Sequence, residues 1–305
     1  MNDHLTISTF QLFEMYPDAE SARVYFEGLR WNGKPVCPHD GCDQVTRRGG
    51  KRVGYYRCHK CREEFTVRTK SIFERSHVPL HKWLYAMYIV LTARKGVSSM
   101  QLSKQIGVTQ KTAWFVLGRI REACGAGKVK LDGIVEVDEV YIGGKERNRH
   151  ESKKKGSRGK EDKEILLGMR ARGGRSAITR IEGTTKQDLV GAIADHVKMG
   201  STVYTDELAS YKGMPYRHGF VNHSAGEYVG PGDIHVNGTE SMWATLKRSI
   251  HGTWHHVSVK HLERYANEAT MRLNEGSVEV HTLDRLEALA RLAFQRRITY
   301  QQLTA

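Results

Sequence analysis

The chain has no long hydrophobic run, a shortage of acid and few cysteines, and each absence narrows what it can do. Its longest apolar stretch, Trp83 to Leu91, is far short of the ~20 residues that span a bilayer. No membrane partner is therefore expected. The opening Met1-Asn2-Asp3-His4-Leu5-Thr6 has neither a charged n-region nor an apolar h-region, so no secretory signal is expected either. That places the protein in the cytoplasm, with its thiols reduced. Acids are outnumbered: 34 Asp and Glu against 48 Lys and Arg leave a net charge of +14. A surplus of that size favours a polyanionic partner, most simply nucleic acid. With 305 residues there is room for two or three domains, each with a core of its own.

Of the five cysteines, four are organised. Cys37 and Cys42 form one close pair, and Cys58 and Cys61 the other. The C-x4-C…C-x2-C spacing lets two knuckles present four thiolates tetrahedrally to one Zn²⁺. His39 and His59 stand beside them as substitute ligands, but four thiols make the simpler site. Four protein ligands leave no open position for water, so the zinc is structural. Residues 53–57 and 64–67 read as strands of a zinc ribbon, with Pro38, Gly41 and Gly49-Gly50 supplying turns. Cys124 reads as a small buried apolar residue.

Residues 79–122 carry three helix patterns in succession. Pro79 opens one running to about Lys95, where Gly96 stops it. Ser98-Ser99-Met100-Gln101 has the form of a capping box and opens a second, which ends near Gly107. Thr109 caps a third, with Ala113, Val116, Leu117 and Ile120 on its apolar side. This is the helix-turn-helix layout, in which Thr109, Gln110, Lys111 and Thr112 point at base edges or phosphates. The competing reading is a plain helical connector between domains.

From Gly133 onward strands alternate with helices. Ile134–Ile142 is a β-rich run interrupted by carboxylates, followed by a polar loop at 145–163. Strands at 164–170 and 176–181, a helix at 185–196 and a strand ending at Asp206 follow. The pattern predicts an α/β domain with a mixed sheet, similar to ribonuclease H. Asp138 lies in the first strand and Asp206 just past the end of a later one, where ligands gather in open α/β sheets. Glu240 opens a further helix, and Lys247 falls two turns later on the same face. Met242, Leu246 and Ile250 form the stripe that would hold this helix on the core. Asp138, Asp206 and Glu240 together are what Mg²⁺- or Mn²⁺-dependent phosphoryl transfer on nucleic acid requires. Glu139 and Glu207 read as surface acids, and Glu136, on Asp138's side of the strand, as a weaker fourth candidate.

These stretches resemble a known family, the bacterial insertion-sequence transposases of the ISXO type, with a zinc ribbon ahead of a DDE catalytic domain. The matching segments are Cys37 to Cys61, Val135-Glu136-Val137-Asp138-Glu139, Tyr204-Thr205-Asp206-Glu207, and His235 to Trp243. Lys247-Arg248 and Lys260 to Tyr265 match as well, so the resemblance runs from about residue 20 to 275. It implies a ribonuclease H-like fold, Mg²⁺-dependent DNA cleavage and strand transfer, and recognition of terminal inverted repeats. It also implies action on target DNA by a homo-oligomer, without a covalent enzyme–DNA intermediate. In this family the third catalytic position is Asn or Glu, so Asn237 stands as the alternative to Glu240.

The expected architecture is multidomain. It comprises a lead-in (1–30), a zinc ribbon (31–75), a helix-turn-helix segment (76–126), a ribonuclease H-like DDE domain (131–278) and a helical tail (279–305). The aromatic turn Gly252-Thr253-Trp254-His255-His256-Val257-Ser258 reads equally as a base-stacking or a packing element. Two other functions compete: a non-catalytic zinc-ribbon and helix-turn-helix regulator or inactive descendant, and a nuclease on the same fold that cuts without joining.

Overall fold

The computed structural model describes residues 5–127, 130–143, 163–222, 229–276 and 279–304. The polar loop expected at 145–163 lies almost wholly outside them. The chain divides into two compact units, residues 1–127 with 275–305, and residues 128–274. Among the described residues no helix is long and apolar enough to cross a membrane.

Numbered along the chain, the first unit begins with α1 (Thr9–Met15) and α2 (Ala19–Trp31). The N-caps Ser8 and Asp18 both close capping boxes, satisfying amide groups that a helix start leaves orphaned. A three-stranded ribbon follows, β1 (Val45–Arg47), β2 (Tyr56–Cys58) and β3 (Glu64–Phe65), antiparallel in that order. The strand expected at 53–57 starts later, at Tyr56, because a 3₁₀ turn at Gly50–Arg52 runs up to it and Gly54 at φ +83° breaks its first half.

Three helices come next, α3 (Leu80–Thr92), α4 (Ser99–Ile106) and α5 (Gln110–Cys124). Ser98 and Thr109 accept from the amides of Gln101 and Thr112 as N-caps, and Gly107 ends α4 in the left-handed region. The unit is completed from the far end of the chain by α9 (Thr282–Leu292) and α10 (Tyr300–Thr304). α9 packs against α2, α3 and α5, with Leu286 and Leu289 fully buried. Phe294, just beyond it, meets the rings of Phe26 and Phe73.

The second unit is built on five strands: β4 (Ile134–Ile142), β5 (Glu164–Ala171), β6 (Ser176–Ile181), β7 (Thr202–Thr205) and β8 (Arg217–Phe220). Their order is β6-β5-β4-β7-β8. The first three are antiparallel, and β7 and β8 run parallel to β4. That arrangement is the ribonuclease H-like sheet. α6 (Lys186–His196) covers one face, its Leu189 and Ile193 packed on Val135, Val137, Leu167 and Met169. α7 (Asn237–Ser249) and α8 (Leu262–Glu275) cover the other, with Met242, Trp243, Leu246, Ala266 and Ala269 against Val140, Leu166 and Ile178. The alternation along β4 therefore sends Val135 and Val137 towards α6, and Glu136, Asp138 and Val140 towards α7.

Candidate active site

β4 and β7 pair in parallel with Ile134 opposite Thr202 and Glu136 opposite Tyr204. Continuing that register by two residues brings Asp138 alongside Asp206. β7 stops at Thr205, so beyond it this flank of β4 is uncovered and side chains from both faces can reach it. Asp138, Glu139 and Asp206 meet there, with one carboxylate oxygen from each within 4.8 Å of the others. Glu139 was expected to be a surface acid. Instead it is half-buried and accepts a hydrogen bond from the hydroxyl of Tyr211 at 2.8 Å.

Each acid is held by a neutral donor. The indole Nε1 of Trp243 donates to Asp138 Oδ2 at 2.9 Å, and the amide of Leu208 donates to Asp206 Oδ1 at 3.1 Å. Burial pushes the Asp138 carboxyl up to about 7, and the charges of Glu139 and Asp206 add to the rise. Burial, with Glu139 beside it, also raises Tyr211 far above the ordinary phenol range. Carboxylates crowded in this way, when ionised, are in want of a cation. Hard oxygens in such a set fit Mg²⁺ or Mn²⁺.

Glu136, the weaker fourth candidate, has a different job. It is 2% exposed, and its Oε2 accepts from the amide of Gly238 at 2.6 Å. Arg172 Nε donates to its Oε1 at 3.0 Å, and His235 Nδ1 lies 3.1 Å from the same oxygen. A carboxylate at a helix N-terminus meets both orphaned amides and the positive end of the helix dipole. Glu136 thus anchors the start of α7 and belongs to the frame of the site.

In the first unit Cys37, Asp40, Cys58 and Cys61 form a second cluster, with ligand atoms within 4.8 Å. The sulfurs of Cys37 and Cys61 are 3.6 Å apart. Two thiolates on one tetrahedral Zn²⁺ with Zn–S near 2.3 Å would be separated by about 3.8 Å, so the site is shaped for zinc. Cys42 lies beside Cys58, but its sulfur points to the carbonyl of Gln44 at 3.8 Å. The Asp40 carboxylate, 3.7 Å from the Cys58 sulfur, takes the fourth place in the cluster. His59 is turned to Thr46.

Residues 130–274 match the family model of the ISXO2-like transposase domain, and residues 17–64 that of the transposase zinc-ribbon domain. The chain is also 32% identical over 235 residues to an uncharacterised protein in the transposable element ISH50 of Halobacterium salinarum. That match covers 72% of this chain and 79% of the relative. The chain belongs to the ISXO2-like transposase family. Among solved structures it is similar to the simian T-cell lymphotropic virus intasome in complex with PP2A regulatory subunit B56 gamma, at 13% identity and TM-score 0.29. That likeness covers 63% of this chain and 67% of that one. A pre-cleavage Mos1 transpososome is similar at 10% identity and TM-score 0.28, over 70% and 78% of the two chains.

The transposase is therefore a DDE-type, metal-dependent enzyme acting on DNA, with a structural zinc. The regulator reading is not favoured. Of its expected site residues, Asp138 and Asp206 are brought together. Glu240 and Lys247 are exposed on α7, two turns apart, and Asn237 is exposed at the first position of that helix. None of these three is in the carboxylate cluster. Glu240 does precede by three residues the Trp243 whose indole touches Asp138. On α5, Thr109, Gln110 and Lys111 are exposed and Thr112 half-buried, but the hydroxyls of Thr109 and Thr112 are 2.9 Å apart, engaged in capping.

The aromatic turn is more helical than expected, since α7 continues into a π-helical turn at Ile250–Trp254. Tyr265 packs edge-on to the Trp254 ring, and the Arg272 guanidinium lies over it. Those two contacts favour the packing role for Trp254. Glu139, Tyr211 and Trp243 beside the acids, and Asp40 beside the thiols, are positions that the sequence did not place there. Of these, only Glu139 carried any signal in the sequence, its place next to Asp138, and strand alternation argued against using it.

Proposed function

We propose that the transposase binds the terminal inverted repeats of an insertion sequence, cuts the DNA at their ends and joins them to target DNA. The observation that supports this most is the meeting of Asp138, Glu139 and Asp206 on the open flank of β4. In the first step water attacks phosphorus, the P–O3′ bond breaks and a 3′-hydroxyl is left. In the second that hydroxyl attacks a target phosphodiester, so one P–O bond again replaces another. Divalent cations bound to the acids would polarise the phosphate and stabilise the departing oxygen.

The chain's own groups then take defined parts. Asp138 and Asp206 hold the cations, with Glu139 beside them. Glu240, carried on the helix whose Trp243 touches Asp138, completes the set in preference to Asn237, because an ionised carboxylate binds Mg²⁺ better than an amide oxygen. Lys247, two turns on, binds a phosphate next to the cations. Gln110 and Lys111, exposed at the start of α5, contact the repeat DNA, and Thr109 and Thr112 hold that helix end in shape. Two ends must be cut in concert, so at least two protomers assemble on DNA. The protein would work in the cytoplasm of a bacterial cell, at the nucleoid.

A donor-plasmid transposition assay with the gene's native flanking DNA tests the reading. Wild type should give new insertions, and Asp206→Asn and Glu240→Gln should lose them. Loss with Asp206→Asn alone would move the third ligand to Asn237. Binding of the flanks without insertions by wild type would refute the activity.

A further inference from the structure

We propose that Trp243 is a positioning residue for the metal site, its indole N–H fixing the Asp138 carboxylate on which a catalytic cation is seated. The inference rests on the reading of Asp138 as a metal ligand. Trp243 is buried among Val140, Leu166 and Met242, a place where a purely apolar ring would pack as well. An indole has one polar atom, a donor, and burying it is costly unless an acceptor meets it. Here the acceptor is Asp138 Oδ2, at 2.9 Å.

The approach is built into the sheet. Gly168 on β5 is the ladder partner of Asp138. A Cβ at that position would lie 2.4 Å from Cζ2 of the indole and 2.3 Å from Cε of Met242. The absent side chain is the slot through which the ring crosses β5 to reach the acid.

A second tie fixes the helix that carries the ring. The Gly238 amide on α7 donates to Glu136, two residues before Asp138 on the same face of β4. Those two acids are separated along the strand by about 6.7 Å. Gly238 and Trp243 are separated along the helix by about 7.5 Å. With both bonds made, α7 is tied to β4 at two points. Partners that orient a ligating carboxylate govern metal affinity by about 10–100-fold.

The test uses full-length protein labelled with ¹⁵N, titrated with Mg²⁺ while the indole N–H signals of its five tryptophans are followed. Mn²⁺ affinity is measured alongside by electron paramagnetic resonance for wild type, Trp243→Phe and Asp138→Asn. One indole signal, absent from Trp243→Phe, should shift with Mg²⁺, and Trp243→Phe should bind Mn²⁺ about 10–100-fold more weakly. A folded Trp243→Phe that binds Mn²⁺ as wild type does would overturn the inference and leave the metal site standing. Should Trp243→Phe not fold, substitutions at the other four tryptophans assign the wild-type signal, and its failure to move with Mg²⁺ overturns the inference. If wild type and Asp138→Asn bind Mn²⁺ equally, the metal-ligand reading itself falls, and this inference with it.

Discussion

Gly168 and Trp243 are complementary in shape: the glycine leaves vacant the volume that the indole fills. Gly168→Ala should therefore act as overpacking, with a cost of about 1–3 kcal/mol, and should push the indole off Asp138. A control is Gly191→Ala on α6, where an added Cβ meets nothing within 4 Å. That change should be neutral or stabilise by up to about 1 kcal/mol. Thermal midpoints of both variants check the pair. Equal midpoints would mean that the slot has no steric role.

Glu136 should behave as a structural acid. Glu136→Gln weakens the half-buried ion pair with Arg172 and the anchor of α7, at a cost of about 1–3 kcal/mol. Gly238→Ala would put a Cβ 2.6 Å from Glu136 Oε2 and strain the same contact from the other side. Because the two changes disrupt one interaction, the double variant should be less destabilised than the sum, by about 0.5–3 kcal/mol. Urea unfolding of the four proteins measures this. Strict additivity would show that the two residues do not act through each other.

At the zinc site the choice lies between Cys42 and Asp40. A structural zinc favours four thiolates, so Cys42 should turn in and displace the Asp40 carboxylate. Cys42→Ser should then lower zinc affinity sharply, while Asp40→Asn retains it. Cobalt substitution reads the donor set directly, since the intensity of the thiolate-to-cobalt band scales with the number of sulfurs. A four-sulfur spectrum in Asp40→Asn and a three-sulfur one in Cys42→Ser are expected. The same spectrum in Cys42→Ser as in wild type would give the fourth position to Asp40.

Phe294 should be as important to the first unit as any residue near the amino terminus. It contacts Phe26 and Phe73, and Arg30 lies over its ring. Phe294→Ala should destabilise that unit by about 3 kcal/mol and leave the Mn²⁺ affinity of the second unit unchanged. Guanidinium unfolding followed by zinc release would register the first effect. A wild-type zinc-release midpoint would refute it.

Periodicity made most of the second unit legible. The alternation in Ile134–Ile142 and the Met242, Leu246, Ile250 stripe placed a strand and a helix whose packing the structure bears out. Caps at Ser98 and Thr109 marked helix starts, because capping is a local event. Glu139 was misjudged for a nonlocal reason. Strand alternation separates it from Asp138, and only the early end of β7 opens a flank where both reach Asp206. Asp40 was missed because spacing rules count thiols, and a carboxylate two residues before Cys42 carries no pattern. A helical tail was expected from residue 279, but which helices α9 packs on depends on contacts far away in sequence.

That last dependence has a consequence for how the protein is made. The first unit holds the zinc ribbon and α3–α5, all translated early, yet its core is closed by Leu286, Leu289 and Phe294. Domains usually fold as they leave the ribosome, amino-terminal first. Here the second unit is contiguous and can finish folding while the first still waits for its final helices. A chain broken off before residue 282 would hold a complete five-stranded sheet and a first unit lacking α9 and α10. A first unit complete in its core thus needs residues 282–304, and a chain terminated before them is deficient in the unit that was made first.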